Sequence, residues 1–213
     1  MCGRLVVYNP RTGDGLNLLG HEIPANFNAA PSEHLPIIRN NPGSGDKELV
    51  MARWGILPAW AKEPTKTKPF FNTRADNLKP TNKVFWESRD RHCLVPAGGF
   101  YEWSEHDKQP YLICTDPPAI FYIAGLWRRW KSKDDVIDSF SVITTKPHSV
   151  LTDIHHRSPV ILKTDAQDQW LSTGHEAGNH LLDVYQGDLS KYKVDPKVVN
   201  NARNKQADCI FPI

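Results

Sequence analysis

YLICTDPPAIFYIAGLWRRWKSKDDVIDSFSVITT, residues 111–145, carries the clearest structural pattern in the chain. Three runs rich in β-branched and aromatic residues, at 111–115, 120–127 and 140–145, are separated by turns rich in proline, lysine and aspartate. Runs of this composition bounded by turn residues predict β-strands. The centre of the chain is therefore predicted to form successive strands of a sheet.

Similar runs extend the strand pattern toward both ends of the chain. They lie at residues 5–8, 35–39, 49–56, 93–97, 100–103 and 160–162. Helical character is weaker and predicts one turn at 16–19 and short helices at 82–89, 147–153, 165–171 and 175–185. Because no repeat, linker or change in composition interrupts the chain, we predict one strand-rich domain over residues 1–213 with short helices.

Composition favours a globular protein with a buried core, since 39% of the 213 residues are hydrophobic and seven are tryptophan. A net charge of +2 and a charged fraction of 23% exclude both a disordered tail and a protein that coats DNA by charge alone. Four scattered cysteines without a C-x-x-C pair argue against a zinc site and a disulfide framework. With no leader and no apolar stretch of membrane-spanning length, we expect a cytoplasmic protein, at the nucleoid in a bacterium or in the nucleus of a eukaryote.

The first four residues, Met1-Cys2-Gly3-Arg4, hold the most unusual chemistry. A small side chain at position 2 permits an aminopeptidase to remove Met1, after which the chain begins with Cys2. The reference pKa is about 7.7–8.0 for the α-amine and about 8.5 for the thiol, so both groups are partly nucleophilic at neutral pH. An aldehyde would form an imine with the amine, and the neighbouring thiolate would close a five-membered thiazolidine. The alternative is that Cys2 is an ordinary small residue beside a strand.

A carboxylate among aromatic residues follows two glycines, in the sequence Phe100-Tyr101-Glu102-Trp103. In a strand, Glu102 lies on the face of Phe100 and opposite to its two neighbours. Desolvation there would raise the pKa of Glu102 and suit it to proton transfer near neutral pH. The alternative is a glutamate on an edge strand that points to water.

The triplet His155-His156-Arg157 combines proton transfer near pH 7 with a group that grips phosphate. Adjacent side chains of an extended segment point to opposite sides, so at most one histidine is expected to face a given site. His148 lies nearby, but no histidine pair has the i, i+4 spacing of metal ligands with an acidic partner. We therefore expect no metal and no cofactor, and histidines on the surface remain the alternative.

Two clusters mix basic and aromatic residues, the first between Arg53 and Arg74 and the second between Trp127 and Lys133. Interleaved cations and aromatic rings suit single-stranded nucleic acid, because bases stack on the rings and phosphates pair with the cations. The alternative is buried tryptophans with lysines on a solvated face. With a net charge of +2, reversible binding should be modest and sensitive to salt.

Six motifs occur in a fixed order along the chain. They are Met-Cys-Gly-Arg at 1–4, Asn-x-Ala-Pro at 28–31, Trp-Gly-x-x-Pro-x-Trp at 54–60, Asn-x-Arg-x-(Asp/Glu) at 72–76, Gly-Phe-Tyr-Glu-Trp at 99–103 and Ile-His-x-Arg-x-Pro at 154–159. Together they resemble the SOS response-associated peptidase (SRAP) family. The resemblance covers nearly the whole chain and is specific, although no single motif would suffice.

The resemblance implies an α+β fold, a single domain with a mixed, barrel-like β core and short peripheral helices. It also implies a protein that crosslinks to abasic sites in single-stranded DNA and shields them during the DNA damage response. In that family Cys2, exposed by autoproteolytic or aminopeptidase removal of Met1, forms a thiazolidine with the ring-opened abasic sugar. The catalytic residues implied are Cys2, Asn72, Glu102 and His155.

The resemblance further implies a DNA-binding surface on a monomer without metal, cofactor or membrane attachment. Its residues are Arg4, Arg74, Arg157, Trp60, Trp103, Asn28 and Pro31. The chain departs from the family at His156, where aspartate is common, and at Ala61, where a second tryptophan is common. Two other functions stay open, a thiol peptidase that uses Cys2 as an N-terminal nucleophile on other proteins, and a non-catalytic module that binds single-stranded DNA.

Overall fold

The computed structural model describes residues 2–58, 60–64, 66–67, 70–79, 81, 91–172 and 179–213. Strands make up most of its regular structure, and in chain order they are β1 (Leu5–Val7), β2 (Leu16–Leu18), β3 (His21–Ile23), β4 (Asn26–Ala29), β5 (His34–Asn40), β6 (Lys47–Trp54), β7 (Asn72–Arg74), β8 (His92–Ala97), β9 (Gly99–Trp103), β10 (Pro110–Thr115), β11 (Phe121–Lys131), β12 (Val136–Thr145), β13 (Ser158–Pro159), β14 (Ile161–Leu162) and β15 (Leu189–Lys193). The helices are short: α1 (Thr164–Ser172), α2 (Pro196–Val199) and 3₁₀ turns at Ala75–Asn77, Ser149–Leu151, Asn179–Leu181 and Ala207–Ile210.

Five of the strands close into a barrel. In the order β12, β6, β5, β8 and β11, each strand is hydrogen-bonded to the next, and β11 pairs with β12 to complete the ring. The β6–β12 pair is parallel, whereas the other pairs of the ring are antiparallel. This mixed barrel with short helices confirms the α+β, barrel-like fold that the resemblance implies.

A second sheet contains, in order, β15, β10, β9, β1 and β4, and all its pairs are antiparallel. β1 is an interior strand of this sheet, although it begins at Leu5. Leu5 and Val7 join the largest hydrophobic cluster, which also contains Trp54 and Phe140 of the barrel. The first residues of the chain are therefore fixed between the second sheet and the barrel core.

Alternation of side chains along the barrel strands explains why separate clusters form on their two faces. On β5, Ile37 belongs to the largest cluster, whereas Ile38 belongs to a cluster that includes Trp170 of α1. The Trp170 ring stacks on His92 with centroids 3.7 Å apart and donates its Nε1–H to the Cys93 carbonyl at 3.1 Å. These contacts hold α1 against the barrel.

The prediction of a helical turn at 16–19 is wrong, because these residues begin a hairpin in which β2 pairs with β3. Both leucines of β2 are buried while Asn17 between them is exposed, which is the period of a strand. Leu19 and Gly20 join the strands with φ angles of 49° and 79°, the left-handed values that a tight hairpin turn uses. A leucine at positive φ is uncommon, so the sequence does not signal this turn.

The other helix predictions have different outcomes. The helix predicted at 165–171 is confirmed as α1, and the one at 147–153 is reduced to the single turn Ser149–Leu151. The helix predicted at 82–89 lies outside the described residues, as do the first residues of the one at 175–185.

All four cysteines are buried and free. Cys2 and Cys93 belong to the largest hydrophobic cluster, where a thiol packs as a small apolar group. This arrangement agrees with the prediction that the cysteines form no disulfide framework. Among the described residues, no helix combines the length and apolar character needed to cross a membrane.

Candidate active site

Three of the predicted catalytic residues lie together where β1, β7 and β9 meet. β1 runs antiparallel to β9, and the Tyr101 N–H donates to the Arg4 carbonyl at 3.0 Å. This register sets Cys2 beside Glu102, close enough for their charges to interact. Asn72 of β7 donates its Nδ2–H to the Cys2 carbonyl at 2.9 Å. The three residues come from distant parts of the sequence, and Asn72 and Glu102 both lie near Cys2.

The Cys2 thiol is neutral in this environment. Cys2 is 1% exposed, and burial, followed by the negative charge of Glu102, raises the pKa of its thiol far above the ordinary value. Sγ lies 4.0 Å from the Arg4 carbonyl oxygen, to which the thiol donates. Because the thiolate is the nucleophilic form, the thiol needs a base at hand before it attacks.

Glu102 is the second buried titratable group of this site and is 2% exposed. Its neighbour Phe100 belongs to the largest cluster, while Tyr101 belongs to the cluster on the other face of the sheet. Burial raises the pKa of Glu102 to about 6. The structure thus favours the desolvated carboxyl group over the edge-strand alternative, and such a group can both give and take a proton near neutral pH.

The Asn72 carboxamide keeps one polar atom available to a ligand. Nδ2 is used by the Cys2 carbonyl, whereas Oδ1 is buried and has no hydrogen-bond partner among the described residues. Parallel pairing of Asn72 with Val142 of β12 holds the side chain in place. A buried acceptor without a partner is costly in the free protein, and a hydroxyl group of a bound sugar would satisfy it.

His155 and His156 lie on the same side of their segment. Their rings stack with centroids 4.4 Å apart and planes inclined by 21°. The expectation that the two side chains point in opposite directions is therefore wrong, because residues 152–156 turn and do not extend. His155 is buried, whereas His156 is exposed.

The backbone of this segment sets the tautomer of His155. The Arg157 N–H donates to His155 Nδ1 at 3.0 Å, so the lone pair of the neutral ring is on Nδ1 and its proton is on Nε2. Burial lowers the pKa of His155 below its ordinary value. The ring is therefore mainly neutral near pH 7 and offers the N–H at Nε2.

Glu105 contacts both histidines and was not among the predicted site residues. Its Oε1 lies 2.7 Å from His156 Nδ1 and 3.7 Å from His155 Nε2. Each of the three side chains offers a potential ligand atom, and these atoms lie within 4.8 Å of one another, as in a small metal site. However, a histidine that binds metal through one nitrogen donates a hydrogen bond from the other. Nδ1 of His155 instead accepts one, so the geometry fits a carboxylate beside an N–H better than a metal.

Arg4 follows Cys2 by two positions and is held by contacts that are partly buried. Its Nη1 donates to Asn28 Oδ1 at 2.7 Å and to the Val199 carbonyl at 3.2 Å. The guanidinium carbon lies 5.9 Å from the ring centre of Trp103, and the Trp103 Nε1–H donates to Asn200 Oδ1 at 2.8 Å. Arg4, Asn28 and Trp103 of the predicted DNA surface therefore form one contact group.

Asn28 supports this group from the inside. It is fully buried, and its Nδ2 donates to the carbonyls of Val199 and Asn201 at 3.1 and 3.2 Å. Lys205 Nζ donates to the Asn28 carbonyl at 2.7 Å. The loop after α2 was not predicted to take part in the site, and its run of asparagines was the only sequence signal for it. Pro31 lies in the turn that follows β4.

Replacement of Asn28 by alanine should destabilise the protein, because buried polar groups around the carboxamide lose their partners. Each such group costs about 1–3 kcal/mol, so we expect the free energy of unfolding to fall by about 2–4 kcal/mol. Urea denaturation followed by tryptophan fluorescence measures the change. Asn17→Ala, at an exposed position of β2, is the matched control and should cost less than about 0.5 kcal/mol. An equally small loss for Asn28→Ala would contradict the supporting role of Asn28.

Arg74 and Arg157 share one acceptor. Asp76 Oδ2 accepts from Arg74 Nη2 at 3.0 Å and from Arg157 Nη1 at 2.9 Å. These two hydrogen bonds lower the pKa of Asp76. Arg157 is buried and also donates to Thr144, whereas 56% of the Arg74 side chain is exposed. Arg74 is therefore the more accessible of the two cations.

The two basic and aromatic clusters differ in exposure. In the first, Trp60 is 73% and Phe70 is 60% exposed. In the second, both tryptophans are buried, and Arg129 forms a bidentate pair with Asp138 at 2.8 Å. The second cluster thus matches the alternative of buried rings with a solvated charged face. Of these two clusters, only the first presents large exposed rings among the described residues.

Comparison with known proteins gives a family, named relatives and a shared fold. The family model described as SOS response associated peptidase (SRAP) matches residues 1–201. The abasic site processing protein YoqW of Bacillus subtilis is 31% identical over 197 residues, which cover 89% of this chain and 87% of that protein. The abasic site processing protein YoaM of the same organism is 30% identical, with 99% of this chain and 97% of that protein covered. A crystal structure of a protein from Bacteroides thetaiotaomicron, 24% identical, covers 88% of this chain and 85% of its own with a TM-score of 0.72.

Proposed function

The chain belongs to the SOS response associated peptidase (SRAP) family, and we propose that it processes abasic sites in DNA by forming a covalent bond with them. The bond would be a thiazolidine between Cys2, freed of Met1, and C1′ of the abasic sugar in single-stranded DNA. The observation that carries this proposal is the placement of Cys2 between Asn72 and Glu102. The names of the two relatives support an abasic site as the substrate, because both are abasic site processing proteins.

The first step of the proposed reaction opens the sugar. An abasic deoxyribose is mostly a closed hemiacetal, which an amine does not attack. Opening breaks the C1′–O4′ bond and forms C1′=O, while the C1′ hydroxyl loses a proton and O4′ gains one. In our proposal the Glu102 carboxylate takes the hydroxyl proton, while the Nε2–H of the neutral His155 ring donates a hydrogen bond to O4′ and O4′ takes its proton from solvent.

The second step joins the protein to the open aldehyde. The amine of Cys2 adds to C1′ and passes one of its protons to the carbonyl oxygen, and Glu102 returns its proton to the resulting hydroxyl group, so that water departs and a protonated imine forms. The Cys2 sulfur then adds to the imine carbon and closes the ring, while its proton passes to the Glu102 carboxylate. Glu102 thus supplies the base that the buried thiol needs, and the only by-product is one water molecule.

Removal of Met1 is a condition of this chemistry, because an acylated amine cannot form an imine. An aminopeptidase would remove Met1, or Cys2 and Glu102 would do so within the chain. We propose that the chain removes Met1 itself in a single turnover, since a nucleophile and a proton-transfer group already lie together. The Cys2 sulfur would attack the Met1 carbonyl and pass its proton through Glu102 to the Cys2 nitrogen as the Met1–Cys2 peptide bond breaks, and water would then hydrolyse the thioester and release methionine. Intact mass of the protein expressed in an aminopeptidase-deficient host tests it, and retention of Met1 there would contradict it.

The proposed DNA surface combines three parts. They are the contact group of Arg4, Asn28 and Trp103, the exposed rings of the first cluster, and Arg74. A strand bound there by a monomer would be held by few phosphates, and the covalent bond would supply the lasting attachment. A single-stranded oligonucleotide fits best, because its unpaired bases can stack on exposed rings such as Trp60.

Arg74→Gln should weaken reversible binding of single-stranded DNA without an abasic site. Loss of one phosphate contact should make the slope of log K against log salt concentration shallower by about 0.7. Fluorescence anisotropy at several salt concentrations measures the slope. Arg129→Gln removes an exposed arginine from the second cluster and should leave the slope unchanged. Equal slopes for the two variants would argue against a DNA contact at Arg74.

The covalent function is tested with a single-stranded oligonucleotide that carries one abasic site. Protein whose intact mass shows loss of Met1 should give a slower band on a denaturing gel. No such band from that protein would overturn the proposal. Turnover of an unrelated peptide would favour the thiol peptidase, and a complex that salt dissociates would favour the non-catalytic binding module.

A further inference from the structure

We propose that Glu105 is a positioning residue for the sugar-opening step, which acts through His155 while His156 holds it in place. The inference rests on the function proposed above and assigns a role to Glu105, which lies outside the motifs that suggest that function, and to His156, which occupies a variable position of the last motif. The basis of the inference is that the Glu105 carboxylate lies close to Nε2 of the buried His155.

Three contacts fix Glu105 at this position. Its N–H donates to the Ile154 carbonyl at 3.1 Å, which ties the end of β9 to the segment that carries the histidines. His156 Nδ1 donates to Oε1 at 2.7 Å. Lys108 Nζ donates to the Glu105 carbonyl at 3.0 Å. The side chain is solvent-exposed, yet both its backbone and its carboxylate are held.

His155 is in turn restrained on three sides. The Arg157 N–H binds Nδ1, the His156 ring stacks on one face, and the Glu105 carboxylate lies 3.7 Å from Nε2. The last contact is too long for a hydrogen bond but short for a charge interaction. It favours a ring that carries its proton at Nε2, the atom proposed to donate to O4′. The exposed His156 therefore has an indirect role, because it orients the carboxylate.

The charges near His155 support this assignment. The hydrogen bond from His156 lowers the pKa of Glu105, so the side chain is a carboxylate at neutral pH. Burial lowers the pKa of His155, and the charge of Glu105 opposes that shift while the charge of His156 adds to it. Glu102, the fourth residue of β9, is the contrasting carboxyl group, because burial raises its pKa. Two carboxyl groups three residues apart thus have different environments. That of Glu102 suits proton transfer, and that of Glu105 suits a fixed negative charge beside His155.

Glu105→Gln tests the inference, because it keeps a side chain that can bind His156 and removes only the charge. On a ring-closed abasic site the variant should form the covalent product about three- to tenfold more slowly at pH 7.5. On an oligonucleotide that carries an acyclic aldehyde, which needs no ring opening, it should match the wild type. NMR titration of the His155 ring should show a pKa below that of the wild type, because the charge of Glu105 that opposes the lowering is gone, and the pH profile on the ring-closed site should move to lower pH with it.

His156→Ala should show the same selective loss, because Glu105 is then no longer held. Asp168→Asn removes an exposed carboxylate of α1 that pairs with Lys47, and it should change neither substrate. A Glu105→Gln variant that equals the wild type on both substrates, or is slowed equally on both, would overturn the inference. Failure of the wild type on both substrates would instead overturn the proposed function, so the two failures are distinguishable.

Discussion

Cys2→Ala should yield no covalent product that survives a denaturing gel. Alanine retains a small residue at position 2 and an amine after Met1 is removed, but it has no sulfur to close the thiazolidine. The imine that its amine forms with the sugar is hydrolysed when the protein unfolds. Incubation with a single abasic-site oligonucleotide, after intact mass has shown that Met1 is absent, measures the loss.

Reductive trapping makes this experiment sharper. Addition of cyanoborohydride converts the imine to a stable amine, so the band should return in Cys2→Ala only when the reductant is present. Cys114→Ala, which removes a buried thiol that faces Ser190, is the matched control and should crosslink like the wild type. A stable band from Cys2→Ala without reductant would show that another residue forms the bond.

Glu102→Gln should slow formation of the covalent product by about 10²–10⁴-fold near pH 6, the range expected for loss of a proton-transfer group. In the proposed reaction Glu102 starts as the carboxylate, and with a pKa of about 6 the carboxylate fraction falls as pH drops below that value. The ratio of wild-type to variant rates should therefore shrink by about tenfold per pH unit below pH 6 and stay level above it. Single-turnover rates on denaturing gels from pH 5 to 9 measure the ratio, and a ratio that does not vary with pH would contradict proton transfer by Glu102.

The same substitution should stabilise the fold at alkaline pH. The pKa of Glu102 rises on folding from an ordinary 4.5 to about 6. Below pH 4.5 the group is protonated in both states and adds no cost, whereas above pH 6 the folded state buries a charge that costs about 2 kcal/mol. Glu102→Gln should therefore unfold at higher urea concentration than the wild type at pH 8, and the gain should vanish at pH 4. Glu22→Gln, on the exposed side of β3, should show no such gain. A less stable Glu102→Gln at pH 8 would indicate a structural role.

Sequence patterns predicted the strands well because runs of β-branched and aromatic residues coincide with strands that are buried along most of their length. Glu102 could be recognised for the same reason, since aromatic neighbours on a strand imply burial whichever face they occupy. The barrel was implied by the family resemblance and not by residue patterns, because the parallel β6–β12 pair that closes it joins strands that are distant in the sequence and leaves no local pattern. The hairpin at β2 was missed because its turn places a leucine, and not only a glycine, at positive φ.

The contacts of the site were less predictable than its motifs. Glu105 meets His156 across 51 positions, and an acidic residue in a polar turn carries no signal of such a partner. Asn28 was expected at the DNA surface, but the structure buries it beneath Arg4, where it receives support from the loop after α2. Residue types in the sequence indicated which chemical groups the site contains. Only the tertiary structure shows which side chain orients another, as Asn28 does for Arg4 and Glu105 for His155.

The interior position of β1 has a mechanical consequence for any DNA bonded at Cys2. Because β1 is paired with β9 on one side and β4 on the other, tension on the DNA would load two rows of hydrogen bonds in shear. A translocating helicase or polymerase that met the adduct would pull on the middle of a sheet and not on a loose chain end. Such an anchor would resist detachment by force, so release of the strand would depend on reversal of the bond at C1′ or on destruction of the whole domain.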